Sequence, residues 1–203
     1  LKRHYELRGR ILTLAEGVRA TEDLPPLSRE GRRLRVGFIN RHFSSQTETY
    51  TTLPTFEHLD PDQFEVILFS VHRTDTALEQ HCRGRAAEFR LLPAETNSQL
   101  QVLRDAMLDI AVFGTNVTAV LNEVTRLALH RVAPLQVVNN SSCTTTGLPE
   151  IDLYVSGTLT EEPGASPQFT ERLGLLPGPA HAFNYQADRQ EPALQWTKIG
   201  RAH

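Results

Sequence analysis

The stretch Asn139-Asn140-Ser141-Ser142-Cys143-Thr144-Thr145-Thr146-Gly147 carries two amides, five hydroxyls, a thiol and a glycine. A loop of this composition offers many hydrogen bonds to a sugar or a phosphate without presenting a formal charge. Upstream, His42 follows the apolar run Val36 to Ile39 and supplies an imidazole, the side chain best suited to exchange a proton near neutral pH. Gln46 and Thr47 follow closely, and Glu48 opens the next helical pattern, where a carboxylate favours the helix dipole. Gly114-Thr115-Asn116 adds another polar turn after an apolar run. The plain structural alternatives are a solvated loop at 139–147 and a strand-capping histidine at 42. Cys143 has no nucleophile signature and reads as a small packing residue. In Glu150-Ile151-Asp152 two carboxylates share one side of an extended segment, a pattern known from glycoside hydrolysis. A strand follows at once, so Asp152 reads better as a backbone partner.

These groups need a frame. Arg35 to Asn40 and Phe64 to Ser70 are short apolar runs rich in β-branched and aromatic residues, as expected of strands buried on both faces. Further strands are expected at Glu88 to Leu92, Asp109 to Phe113, Leu135 to Val138 and Ile151 to Ser156. Helices are expected between them: Glu48 to Leu59 despite Pro54, Ser98 to Met107, and Val117 to His130, where Val117, Val120, Leu121, Val124 and Leu127 keep helical spacing. Glu161-Glu162-Pro163 reads as another helix start. Such alternation predicts an α/β fold, a Rossmann-like parallel sheet with helices on both faces. Ligands of open parallel sheets bind beyond the carboxyl ends of the strands. That rim is where His42, Gln46, Thr47, Asn116, Thr144, Thr145, Thr146 and Gly147 fall.

Length and charge narrow the classes. The chain has 203 residues, a net charge of −3, 39% hydrophobic and 22% charged residues. That is ordinary globular usage, with no general electrostatic pressure toward nucleic acid or an anionic membrane. Neither G-x-G-x-x-G nor a P-loop occurs, which removes the strongest dinucleotide and nucleoside-triphosphate signatures. Two cysteines, Cys82 and Cys143, with no CxxC pattern fit a reducing cytoplasm and no cysteine metal site. His81-Cys82 and His130-Arg131 lack partners at metal-ligand spacing, so no metal is expected. Leu7, Ile11, Leu14 and Val18 form a helical pattern at the very start, and Glu22 to Arg33 has linker composition. Residues 1–33 therefore read as a helical remnant and linker, and 34–185 as the α/β unit. Residues 186–203 read as a truncated tail, whose closing Ile199-Gly200-Arg201-Ala202-His203 resembles a translated sequencing adapter.

Leu34-Arg35-Val36-Gly37-Phe38-Ile39, then Phe43, then Asp60-Pro61-Asp62-Gln63-Phe64-Glu65-Val66 resemble the opening of the catalytic region of protein O-GlcNAc transferases, glycosyltransferase family 41, including its bacterial SPINDLY-like branch. Ala133-Pro134-Leu135-Gln136, the turn Thr144 to Gly147, Asp152-Leu153-Tyr154, Thr170 to Leu173 and Leu176-Pro177 resemble later landmarks of that family in the same order. The resemblance implies the amino-terminal half of a GT-B enzyme, often preceded by tetratricopeptide helices. It implies inverting transfer from a UDP-sugar to protein side chains without a required metal or other cofactor. The implied partners are a UDP-sugar, a protein or peptide acceptor, and a second half bearing most of the nucleotide pocket and a lysine that stabilises the departing diphosphate.

The sequence departs from that family in two places. Gln46 stands where animal-like members carry a histidine near the nucleotide sugar, and His42 replaces an acidic residue four positions earlier. Glutamine cannot accept the proton, which leaves His42 as the catalytic candidate on this loop. Cys143-Thr144-Thr145-Thr146-Gly147 replaces the family's Pro-Gly-Thr-Ser-Gly and leaves open an asparagine-directed glucosyltransferase. A flavodoxin-like or receiver-like regulatory module and another GT-B enzyme, such as a sugar-nucleotide epimerase, share the expected alternation. A receiver would carry an acidic cluster where this chain has Asn40-Arg41-His42.

Overall fold

A computed structural model describes residues 1–18, 31–139, 141–180 and 182–183. Seven strands form one parallel sheet: β1 Leu34–Asn40, β2 Phe64–Ser70, β3 Glu88–Leu91, β4 Ile110–Phe113, β5 Leu135–Val138, β6 Leu153–Gly157 and β7 Arg172–Leu176. Their spatial order is β3-β2-β1-β4-β5-β6-β7. Five helices accompany them: α1 Lys2–Ala15, α2 Thr47–Glu57, α3 Ala77–Gly84, α4 Thr96–Asp105 and α5 Glu123–Leu127. The chain thus has the α/β, Rossmann-like class that its alternation predicts.

Period-two alternation sorts the strand side chains onto two faces. Ile39, Ile67 and Phe69 meet Leu100 and Leu103 of α4 and Val124 and Leu127 of α5 on one face. Val36, Phe38, Val66 and Leu68 meet Leu53 and Phe56 of α2 and Leu78 and Cys82 of α3 on the other. Each large side chain fully buried in this way contributes about 1.5–3 kcal/mol. Phe56 anchors the second face, edge-on to Phe38 at 5.3 Å and to Phe43 at 6.3 Å between ring centroids. On the first face Gly37 leaves room for Leu108, since a Cβ there would lie 2.5 Å from one of its methyls.

Three expectations are corrected. The helix expected over Val117 to His130 is only α5, Glu123–Leu127. Asn116 Oδ1 accepts the N–H groups of Thr118 and Ala119, and Asn122 forms a capping box with Thr125. These side chains compete with the helical backbone and delay the first turn. No α-helix opens at Glu161. Gly164 at φ +88° breaks the segment, leaving a 3₁₀ turn at Ser166–Gln168, and Glu161 Oε1 instead accepts the Ser156 hydroxyl at 2.7 Å. Finally, β7 extends the sheet by one strand more than the sequence indicates. The tail and most of the linker lie outside the described residues. No described helix is long and apolar enough to cross a membrane.

Candidate functional site

In this strand order the chain reverses direction across the sheet between β1 and β4, with α2 leaving on one face and α5 on the other. A crevice opens at such a switch point, beyond the carboxyl ends of the strands. Here it is a cleft of about 300 Å³ lined by Thr47, Glu48, Thr51, Asn116, Ser141, Cys143 and Phe183. The first turn of α2 forms one wall and the loops after β4 and β5 form the others. Two sequence-predicted residues, Thr47 and Asn116, therefore meet in one cavity.

Local hydrogen bonds fix that wall. Glu48 Oε1 accepts the Asn116 N–H at 2.8 Å, across 68 residues, and joins α2 to the loop after β4. Asn116 Nδ2 reaches Cys143 Sγ at 3.4 Å. Ser141 is turned back by Asn139 Oδ1, which accepts both its N–H and its hydroxyl. Tyr154 donates its hydroxyl to Ser142 O, and burial pushes that phenol's pKa upward. Under the rim, Asn40 is fully buried and neither amide atom has a hydrogen-bond partner among the described residues, while Gly114 passes so close that a Cβ would lie 2.3 Å from Asn40 Oδ1. An unsatisfied buried amide costs about 1–3 kcal/mol.

His42 stands two residues past β1, half-buried, with Nδ1 3.0 Å from Ser44 Oγ. It does not line the 300 Å³ cleft. Burial first, then the charges of Arg41 and His72, hold its pKa below the usual histidine value, while Glu48 pulls the other way. At neutral pH the ring is uncharged and able to accept a proton. Gln46 is the exposed N-cap of α2 and makes no side-chain capping bond.

The turn after β5 behaves differently from its composition. Thr144 is half-buried, but Thr145 and Thr146 are turned inward and almost inaccessible. Glu171 Oε2 accepts the Thr145 hydroxyl at 2.7 Å, and Glu171 Oε1 accepts the Thr146 N–H at 2.8 Å as well as the Thr146 hydroxyl. These two hydroxyls hold the turn and do not face the cleft. Gly147 takes φ +67°, which favours glycine. Cys143, expected to be a packing residue, is instead exposed and lines the cleft. Glu150 and Asp152 lie at the amino ends of the strands, away from the rim. Arg131 binds both, at 2.8 and 2.5 Å, and Asp152 also accepts the Gln136 N–H at 2.7 Å.

Sequence reasoning passed over Glu48 and Glu171 as site-shaping residues. Glu48 had a visible signal, a carboxylate in the first turn of a rim helix. Glu171 had none, because Thr145 and Thr146 lie 26 and 25 residues away.

Sheet order, parallel register and a switch-point cleft define a Rossmann-like α/β unit. Among solved structures, the chain is similar to a mutant O-GlcNAc transferase of Thermobaculum terrenum, with 25% identity and a TM-score of 0.67 over 77% of this chain. The chain spans 30% of that neighbour's length. No protein-family model matches the sequence. No curated protein matches it either.

Proposed function

We propose that this chain is the acceptor- and sugar-facing half of a UDP-sugar-dependent glycosyltransferase that modifies protein side chains with inversion. The observation that supports the reading is the cleft at the β1/β4 switch point, whose hydroxyl, amide and thiol groups stand beside the Glu48 carboxylate, together with the likeness to an O-GlcNAc transferase. Thr47, Asn116 and Cys143 are proposed to meet the hydroxyls of the transferred sugar. In the proposed reaction the acceptor oxygen attacks the anomeric carbon while the bond from that carbon to the UDP oxygen breaks. The acceptor proton passes to His42, whose ring is neutral at pH 7. In this reading the diphosphate charge is met by groups outside the matched segment, which covers 77% of this chain but 30% of the neighbour's. No metal or cofactor is assigned a role.

The test is transfer by the longest natural protein that contains this sequence, with UDP-N-acetylglucosamine and UDP-glucose each offered with serine/threonine and asparagine peptides. Sugar on hydroxyl side chains supports the O-linked reading, and glucose on asparagine supports the asparagine-directed one. UDP release without any peptide product would sink both.

A further inference from the structure

The helix that precedes the sheet is seated on the rim. Gly9 is the buried residue of α1. A Cβ at Gly9 would lie 1.8 Å from Gly147 O, and a Cβ at Gly147 would lie 2.1 Å from the carbonyl carbon and oxygen of Tyr5. Backbone meets backbone at this contact, so neither side yields by a rotamer change. One residue away, Arg8 Nη2 donates to Val117 O at 3.0 Å. A turn later Leu12 packs on the core, and Glu16 pairs with Arg126 of α5 at 3.1 Å.

The two loops that α1 touches are the ones that wall the cleft. Val117 follows Asn116 directly, and Gly147 ends the turn that begins at Cys143. Asn116 Nδ2 and Cys143 Sγ, 3.4 Å apart, bridge the same two loops on the cleft side. Alanine would serve an isolated helix better than glycine at position 9, so the local sequence preference runs against the observed residue. Close docking accounts for it.

We infer that α1 is a positioning element of the cleft and that Gly9 is the residue that lets it seat. With α1 docked, the Asn116 and Cys143 loops are held in one arrangement; with α1 lifted, the Cys143–Gly147 turn loosens and the cleft opens. The consequence for sugar transfer rests on the proposed function, but the coupling between α1 and the turn does not.

Cys143 reports the coupling directly. The chain has two cysteines, and Cys82 is fully buried, with burial, then Glu57 and Glu79, pushing its thiol up to about 12. An aromatic disulfide reagent therefore reads Cys143 alone while the fold is intact. Gly9→Ala is expected to speed Cys143 labelling several-fold, because it frees the thiol from Asn116 Nδ2 and widens the cleft that the bulky reagent must enter, with Cys82 still protected. Gly84→Ala, in α3, is the control, because its added Cβ meets no atom of the described residues within 4 Å beyond its own helix; its labelling rate stays at the wild-type value. Should Gly9→Ala fail to fold, Arg8→Ala removes the bond to Val117 O and decides the matter with the same readout. A wild-type labelling rate in the folded variants, or equal exposure of Cys82, would overturn the inference. Faster Cys143 labelling in a protein that transfers no sugar under any condition leaves the coupling standing and removes only the enzymatic reading.

Discussion

Thr146 and Glu171 are joined twice: Glu171 Oε1 accepts both the backbone N–H and the hydroxyl of Thr146. Glu171 is 5% exposed, and its described partners are hydroxyls and an N–H, with no cation pairing it among the described residues. Burying a carboxylate is costly unless hydrogen bonds compensate it, so Glu171 and its donors hold one another in place. Glu171 therefore fixes the turn from inside the domain while α1 covers it from outside.

Glu171→Ala is expected to cost on the order of 3 kcal/mol, because it removes the acceptor of two hydroxyls and leaves the Thr146 N–H without its partner. Glu171→Gln keeps one carbonyl acceptor for Thr146 and is expected to lose less than half of that. Urea unfolding of the three proteins measures both values. Equal stability of the alanine and glutamine variants would show that the hydrogen bonds to Thr146 do not hold the turn.

Apolar periodicity located β1, β2 and β5 almost to the residue, because strands buried on both faces leave long apolar runs. β7 was not legible: Arg172-Leu173-Gly174-Leu175-Leu176 forms a half-exposed edge with neither alternation nor a fully apolar run. At the rim, residue types were legible but directions were not. Nothing local distinguishes a threonine facing a cleft from one facing Glu171, whereas Asn116 and Thr47 fall at strand and helix ends whose geometry aims them at the switch point.

His42 gives a pH signature. Its pKa is lowered, first by burial and then by Arg41 and His72, so the acid limb of kcat/KM in the active parent is expected below the ordinary histidine value of about 6.5. Removing a positive neighbour weakens the depression, so Arg41→Ala moves that limb upward. Removing Glu48 does the reverse. His42→Ala is expected to lower kcat/KM by about 10²–10⁴ if the ring takes the proton. An unchanged pH profile in His42→Ala would leave the ring as a cap of β1.

Asp109, at the opposite end of the sheet, is expected to contribute to acid sensitivity. Burial opposes its ionisation, but the Arg32 fork at 2.6 and 2.7 Å, the Arg35 N–H at 2.8 Å and the two arginine charges outweigh burial and hold its pKa below the aspartate value. A depressed folded pKa stabilises above the unfolded value of about 3.9 and loses that contribution as pH falls through the folded one. Asp109→Asn is expected to cost about 2 kcal/mol at pH 7 and to flatten the fall in Tm between about pH 4 and pH 2. Parallel Tm curves for the two proteins would show that Asp109 is not the acid-sensitive group.

The chain by itself is expected to transfer no sugar. Transfer between a UDP-sugar and a protein side chain requires both held in one geometry, and such positioning accounts for about 7–11 kcal/mol of barrier lowering. The described cleft of about 300 Å³ presents hydroxyl, amide, thiol and carboxylate groups, with no Lys or Arg among its lining residues. A departing diphosphate needs cationic or N–H donors where its charge develops, usually the largest electrostatic contribution in such a site. Glu48, the charged group on the wall, has the opposite sign. The measurement is UDP release and peptide labelling from radiolabelled UDP-N-acetylglucosamine and UDP-glucose, with the 203-residue chain compared with the longer natural protein. Turnover by the short chain within tenfold of the long one would mean that the switch-point cleft suffices, and the division of labour between two halves would have to be abandoned.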